Sequence, residues 1–215
     1  MARQALVSQL RLFTPQFRVS YPYLFEPYVG QGQEPKYRVS GIIPKKLVGK
    51  QAELFNAIKA ELKRIAIEFH GEQVFYSLMK SGQFKWPIID GANFAGQEGY
   101  GPDKWVFKMS AKRMPGVIGR DLRPLRPADV YPGCYGQASV TLYAFDNVSK
   151  GVHIGLNNFQ KQGDGAQLGG GVAADKEFSV VKDEDWVDYT TTTESDSSAS
   201  INTDDIPDEL RDLLS

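Results

Sequence analysis

The chain is poor in the residues from which most enzyme sites are built. It holds one cysteine, Cys134, and two histidines, His70 and His153. A single cysteine excludes an intramolecular disulfide and fits a reducing compartment. The three residues together are too few for a zinc site of the usual Cys/His count. No G-x-S-x-G elbow occurs. Gly30-x-Gly32 lacks the third glycine of a dinucleotide fingerprint, because that position is Pro35. Gly49-Lys50 is not a phosphate loop: the earlier glycine is replaced by Pro44 and Gln51 stands where Ser or Thr is needed. No apolar run approaches the length of a membrane span, and the start, MARQALVSQLRLF, has no continuous apolar stretch of the signal-peptide kind. These absences lead us to expect a cytoplasmic protein with no cofactor, no metal and no membrane partner.

What is present is charge, unevenly placed. The net charge of −1 conceals two opposed regions. Residues 183–215 hold eleven acidic residues against one basic residue, Arg211, and so carry −10; the preceding 182 residues hold 24 basic against 15 acidic residues, or +9. A basic body beside an acidic tail points to an anionic partner for the body, nucleic acid above all; a solvated basic surface balanced by a solubilising tail is the alternative. After Trp186 the composition falls to TTTTESDSSASINTDD, which cannot form a core. The expected organisation is a folded domain over 1–182 and a disordered acidic tail over 183–215.

The strongest strand signal lies between Tyr131 and Gly171. Ala138, Val140, Leu142 and Ala144 alternate with Ser139 and Thr141, and Val152, Ile154 and Leu156 repeat the pattern after a turn at Asp146–Gly151. This predicts a hairpin over Tyr135–Phe159. The face opposite the core then carries Tyr135, Gln137, Tyr143 and Phe145 on one strand and His153, Asn157, Phe159 and Lys161 on the other. Aromatic rings on a solvated sheet face suit stacking on nucleobases, so Tyr143, Phe145 and Phe159 are candidate stacking residues; the competing reading is a second small core under a loop.

Further strands are expected at Phe17–Tyr21, bracketed by Pro15 and Pro22, at Lys36–Ile43 and at Lys104–Arg113. The last would present Lys104, Lys108, Ser110 and Lys112 on one face. One amphipathic helix is predicted over Gln51–Phe69 from the stripe Leu54, Ile58, Leu62, Ile65 and Phe69. Residues 1–11 read as a frayed start, and 71–103 as a packed or functional loop. A short strand is expected at Phe178–Val181. Arg120, Arg123 and Arg126, three apart among prolines, could track a phosphate chain or pair with Asp121 and Asp129. The candidate DNA-contacting bases are Lys108, Lys112, Arg113, Arg120, Arg123, Lys150 and Lys161.

Four segments, RVSYPYLFEP (Arg18–Pro27), PKYRVSGIIPKK (Pro35–Lys46), SAKRMPGVIGRD (Ser110–Asp121) and the long YPGCYGQASVTLYAFDNVSKGVHIGLNNFQKQGDGAQLGG (Tyr131–Gly170), resemble the phage single-stranded-DNA-binding family. The resemblance implies an OB-fold that coats single-stranded DNA during replication, recombination and repair, in the host cytoplasm. Five strands and a helix read from the residues are consistent with a mainly β, five-stranded Greek-key barrel capped by one α-helix. The tail resembles the acidic tails of such proteins, which implies recruitment of replication or recombination proteins; Asp204-Asp205-Ile206-Pro207 is followed by Asp208 rather than by a terminal phenylalanine. A homo-oligomer is a further possible partner state. The competing functions are an RNA-binding OB protein and a metal-dependent nuclease using Asp90, Asp103, Asp121, Asp129 or Asp146, which show no motif spacing.

Overall fold

In a computed structural model of the chain, residues 4–32, 34–169, 179–180 and 182 are described. Two units are distinguished, Met1–Gly171 and Val172–Ser215, and the elements below all lie in the first. Ser179 and Val180, from the expected strand at Phe178–Val181, are not in a strand; the rest of that segment and the tail over 183–215 lie outside the described residues.

The elements run β1 (Leu6–Val7), β2 (Leu12–Phe13), β3 (Phe17–Tyr28), β4 (Lys36–Pro44), α1 (Gly49–His70), α2 (Glu72–Lys80), β5 (Ile88–Asp90), β6 (Lys104–Ala111), β7 (Gly116–Ile118), β8 (Tyr135–Asp146) and β9 (Lys150–Gly163). The fold is mainly β, but the described residues contain nine strands and two α-helices rather than five strands and one helix.

β8 and β9 form the spine. β8 alternates as read from the sequence, with Ala138, Val140, Leu142 and Ala144 buried, and β9 answers with Val152, Ile154 and Leu156. The pairing opposes Tyr143 to His153 and Leu142 to Ile154, then slips between Ser139 and Val140: Val140 faces Leu156 while Ser139 faces Asn158. Asn157 is therefore an extra residue, a β-bulge. From the other edges, β9 takes β6 in parallel through Met109↔Ile154 and β7 through Val117↔Phe159. β8 takes β3, β2 and β1 in succession. β3 pairs with β4 and β4 with β6, both antiparallel, while β5 lies along the start of β6.

α1 covers this sheet, packing on β8 and β9. Phe55, Ile58, Leu62, Ile65, Ala66 and Phe69 are buried at steps of three and four, as an amphipathic stripe requires. Phe55 meets Phe107 of β6 edge to face at 5.6 Å. Glu61, on the same side, is also buried; it accepts from the Ser8 hydroxyl at 2.5 Å and from Arg64 at 2.8 Å. A buried carboxylate satisfied in this way ties the segment after β1 to the helix. Gly71 separates the helices at φ 86°, a left-handed conformation that glycine adopts without a Cβ clash. Cys134 is fully buried, and that burial pushes its thiol pKa up.

Three expectations are corrected here. The expected frayed start over 1–11 does not extend to Leu6 and Val7, which pair with Ala144 and Tyr143. Pro22 does not close a strand; β3 runs through it, because the ladder shifts between Ser20 and Tyr23 and Tyr21 sits at φ 49°. The 71–103 loop contains α2 and β5. Phe75 of α2 is buried against Phe84 at 5.3 Å and Trp86 at 6.2 Å, and nine residues are too few to show a clear helical period.

Candidate nucleic-acid interface

The outward side of β4 and β6 is built by strand alternation. Val39 and Met109 point to the core, so Arg38, Ser40, Lys108 and Ser110 point away from it. The register sets Ser40 beside Lys108 and Arg38 beside Ser110. Parallel pairing of β6 with β9 then brings His153 next to Ser110, with 3.0 Å between Nε2 and the hydroxyl oxygen. Tyr143, opposite His153 on β8, extends the strip, with ring centres 5.0 Å apart. Above it lie Tyr21 and, from the connection before β6, Phe94 and Tyr100. Beside Tyr143 is a hollow of about 300 Å³ lined by Tyr21, Arg38, Ser40, Phe94, Lys108 and His153.

Its chemistry is aromatic and cationic. Phe94 and Tyr100 lie 4.9 Å apart, tilted by 35°, and the Tyr100 hydroxyl donates to Ser20 Oγ at 2.8 Å. The strained turn at Tyr21 leaves the residue 48% exposed. Lys108 Nζ stands 5.4 Å from the centre of the Phe94 ring, and Lys108 has no carboxylate partner among the described residues. The Arg38 guanidinium lies 3.3 Å over Tyr28 and 4.9 Å from Tyr23, a cation–π arrangement. Its Nε is buried without a hydrogen-bond partner. Burial holds the His153 imidazole below its ordinary pKa and lifts the Tyr143 phenol above its own, so both are neutral near pH 7. The face therefore offers neutral rings for stacking and fixed cations from Arg38 and Lys108 for phosphate.

Of the residues picked from the sequence, Lys108 and Tyr143 belong to this face. Phe145 is half-buried, 6.5 Å from Tyr143. Lys112 is exposed beyond the end of β6 and pairs with Glu34 at 2.6 Å, and Lys150 pairs with Asp146 across the hairpin turn. Arg113 is exposed. Arg123 pairs with Asp121 at 3.5 Å and Arg126 with Asp129 at 3.4 Å, while Arg120 opens onto a separate hollow with Gln16, Gln160 and Gln162.

Two choices are overturned. Phe159 is 1% exposed and packs on Phe17 at 6.1 Å, so it is core and not a stacking platform. The cause is the bulge at Asn157, which inverts the alternation: inward positions are 152, 154 and 156 before it and 159 after it. Gly136 makes room for the ring, since a Cβ there would come within 2.3 Å of it. Lys161 is not a free phosphate contact. Its ammonium donates to the Asp129 carbonyl at 2.7 Å, meets Asp164 at 2.6 Å and has a side chain only 16% exposed.

The sequence reading missed Tyr21, Arg38, Phe94 and Tyr100. Arg38 was legible as an outward position on its strand. The other three are placed by a strained turn and an irregular connection that no periodicity announces. The five aspartates considered for a nuclease are each held by a different base: Asp90 by Lys45, Asp103 by Lys104, Asp121 by Arg123, Asp129 by Arg126 and Asp146 by Lys150.

The family described as Enterobacter phage Enc34, ssDNA-binding protein, matches the chain over residues 10–188. Protein p50 of Acyrthosiphon pisum secondary endosymbiont phage 1 is 36% identical over 169 residues, covering 75% of this chain and 88% of its own. Among solved structures, the single-stranded DNA-binding protein of bacteriophage Enc34 in complex with ssDNA aligns with a TM-score of 0.58 at 21% identity, over 72% of this chain and 87% of that one. The single-stranded DNA-binding protein gp2.5 of bacteriophage T7 aligns with a TM-score of 0.53 at 14% identity, over 89% and 100%. At these identities the two structural likenesses concern the fold.

Proposed function

This chain belongs to the family of the Enterobacter phage Enc34 ssDNA-binding protein, a family of binding proteins rather than enzymes, and on that premise we propose that it coats single-stranded DNA during phage replication, recombination and repair. The strand lies across the outward face of β4 and β6. The observation that carries this reading is the grouping of Tyr21, Arg38, Phe94, Tyr100 and Lys108 around one hollow, with Tyr143 beside it against His153; the two cations have no carboxylate partner among the described residues. Rings take bases without regard to sequence, and the cations follow the phosphates. We read β3, β4, β6, β9 and β8 as an OB unit. In support, their pairings run β3–β4–β6–β9–β8 and return to β3, with β6 and β9 parallel; the remaining strands extend its edges.

The acidic segment 183–215 is proposed to compete with DNA for the body's cations at low salt and to recruit replication or recombination proteins once displaced. This follows from its −10 charge tethered to a +9 body. Truncation after residue 190 should tighten binding at low salt, and the gain should shrink as salt rises.

Fluorescence anisotropy with single-stranded DNA, single-stranded RNA and duplex of equal length tests the main reading. Single-stranded DNA should bind most tightly, with a log–log salt slope of about −0.7 for each of roughly 3–6 phosphates. Tighter binding of RNA would favour an RNA-binding role, and a salt-independent affinity would sink the electrostatic part.

A further inference from the structure

The outward side of the β8–β9 hairpin continues past Tyr143 into a groove that the β4–β6 face does not use. Its floor is polar: Gln137 and Ser139 from β8, Asn158 and Gln160 from β9. One wall is Phe13 of β2, and the other is the turn after β7, with Leu122 at its tip. The groove has a volume of about 570 Å³. Gln160 also borders a second hollow of about 400 Å³, lined besides by Arg120, Gln16 and Gln162.

Several features need an explanation that folding does not give. Phe13 is 46% exposed and Leu122 68%. Leu122 also sits at φ 65°, a left-handed conformation costly for a branched side chain, fixed by the turn bonds Leu122 N–H to Gly119 O and Gly119 N–H to Arg123 O. A turn needing that conformation would ordinarily carry glycine or asparagine. Here it carries a leucine held over the groove. Arg11 and Arg120, at its margins, make no ion pair among the described residues, and the acid on the turn, Asp121, is taken by Arg123. The floor amides are oriented by bonds to backbone: Asn158 accepts from Gly116 N–H at 3.1 Å, Gln160 donates to Gly119 O at 3.2 Å, and Gln137 donates to Thr14 O at 2.7 Å.

We propose that this groove is a second stretch of the single-stranded-DNA path, in which bases lie between Phe13 and Leu122 over the amide floor and phosphates reach Arg11 and Arg120. The inference rests on the function proposed above and extends it to a second surface. Held in this way, each floor amide keeps a second N–H and a second carbonyl lone pair, which complement the edge of any base. The ring gives a stacking plane of the kind that tolerates all four bases. The groove is also continuous with the first face: outward positions on β8 run Tyr143, Thr141, Ser139, Gln137 at steps of about 6.8 Å. A strand leaving Tyr143 along the hairpin enters the groove, and duplex DNA, with its bases paired, cannot. The bulge at Asn157 belongs to this design. It turns both Asn157 and Asn158 outward while Phe159 goes to the core.

The test uses the full chain and two thymidine oligonucleotides, about 5 and about 20 nucleotides long, which bracket the span of an OB unit. The Phe13→Leu/Arg120→Ala double variant keeps apolar packing at β2 while removing the ring and one cation; its melting curve is checked against the unaltered protein. Expected are unchanged affinity for the short strand and roughly tenfold weaker binding of the long one. Lys108→Ala should instead weaken both. Strands carrying 5-iodouracil should also crosslink to Phe13 in the unaltered protein. Long-strand affinity equal to that of the unaltered protein, with no adduct at Phe13, overturns the inference while leaving the function standing. Failure of the unaltered protein to bind either strand removes the function and the inference together.

Discussion

The two ends of the β8–β9 hairpin carry the same kinds of residue and use them in opposite ways. Near the turn, Tyr143, Phe145 and Lys150 face outward or half outward, and Lys150 pairs with Asp146 across the turn. At the far end, Phe159 is sealed in the core and Lys161 is clamped between the Asp129 carbonyl and Asp164. An aromatic and a lysine thus stay partly exposed at one end and are built into the packed structure at the other. One extra residue at Asn157 separates the two regimes. Residue type and spacing alone do not assign a side chain to a face when a bulge lies between it and the pattern that set the phase.

The contrast can be broken most forcefully at Phe159. Phe159→Ala should cost about 3–5 kcal/mol of stability, read as the midpoint of denaturant unfolding. Tyr143→Ala should leave the midpoint near that of the unaltered protein and weaken single-stranded-DNA binding by about 1–3 kcal/mol. If the two substitutions exchange effects, the division of the hairpin is wrong.

A smaller effect separates the lysines. Lys161→Ala leaves the Asp129 carbonyl without its donor and removes one partner of Asp164, and should cost about 1–3 kcal/mol. Lys150→Ala disrupts a partly exposed pair at the hairpin turn and should cost about 0–1 kcal/mol. Equal losses would show that Lys161 is no more structural than Lys150.

The smallest effect is on pH. The hydrogen bond from Lys161 holds the Asp164 carboxyl below its ordinary pKa, and the Arg126 N–H does the same for Asp129. A depressed folded-state pKa contributes stability above the unfolded value, and that contribution is lost as pH falls through the folded one. The melting temperature should therefore fall as pH drops from about 5 into and below the ordinary aspartate range, near 3.9. The Lys161→Ala variant should show less of that fall. An identical pH dependence in the variant would remove the clamp from the explanation.

Much of the scaffold was legible. α1 was readable from Ile58, Leu62 and Ile65, because a long stripe of period 3.6 has few competing interpretations. β8 was readable from Ala138–Ala144 for the matching reason at period two. The short elements were not. β1 and β2 hold two residues each, and their pairing with β8 depends on contacts more than a hundred residues away, which no local pattern encodes. At the proposed interface, Lys108 and Tyr143 followed from alternation. Phe94 and Tyr100 come from a connection without period, and Tyr21 from a backbone angle that tyrosine seldom adopts. Phe159 and Lys161 were misplaced because the bulge and the Asp129–Asp164 clamp are tertiary facts.

Cys134 has a consequence for the bench. The chain holds no other thiol, and this one is enclosed and raised in pKa, so a soluble disulfide reagent should reach it only when the β3–β8 region opens. The native protein therefore contains its own clock: the rate of thiol labelling reports the frequency of that opening, without any introduced probe. The same shielding lets a second cysteine be placed on the surface and derivatised selectively with a dye, while the native one stays silent.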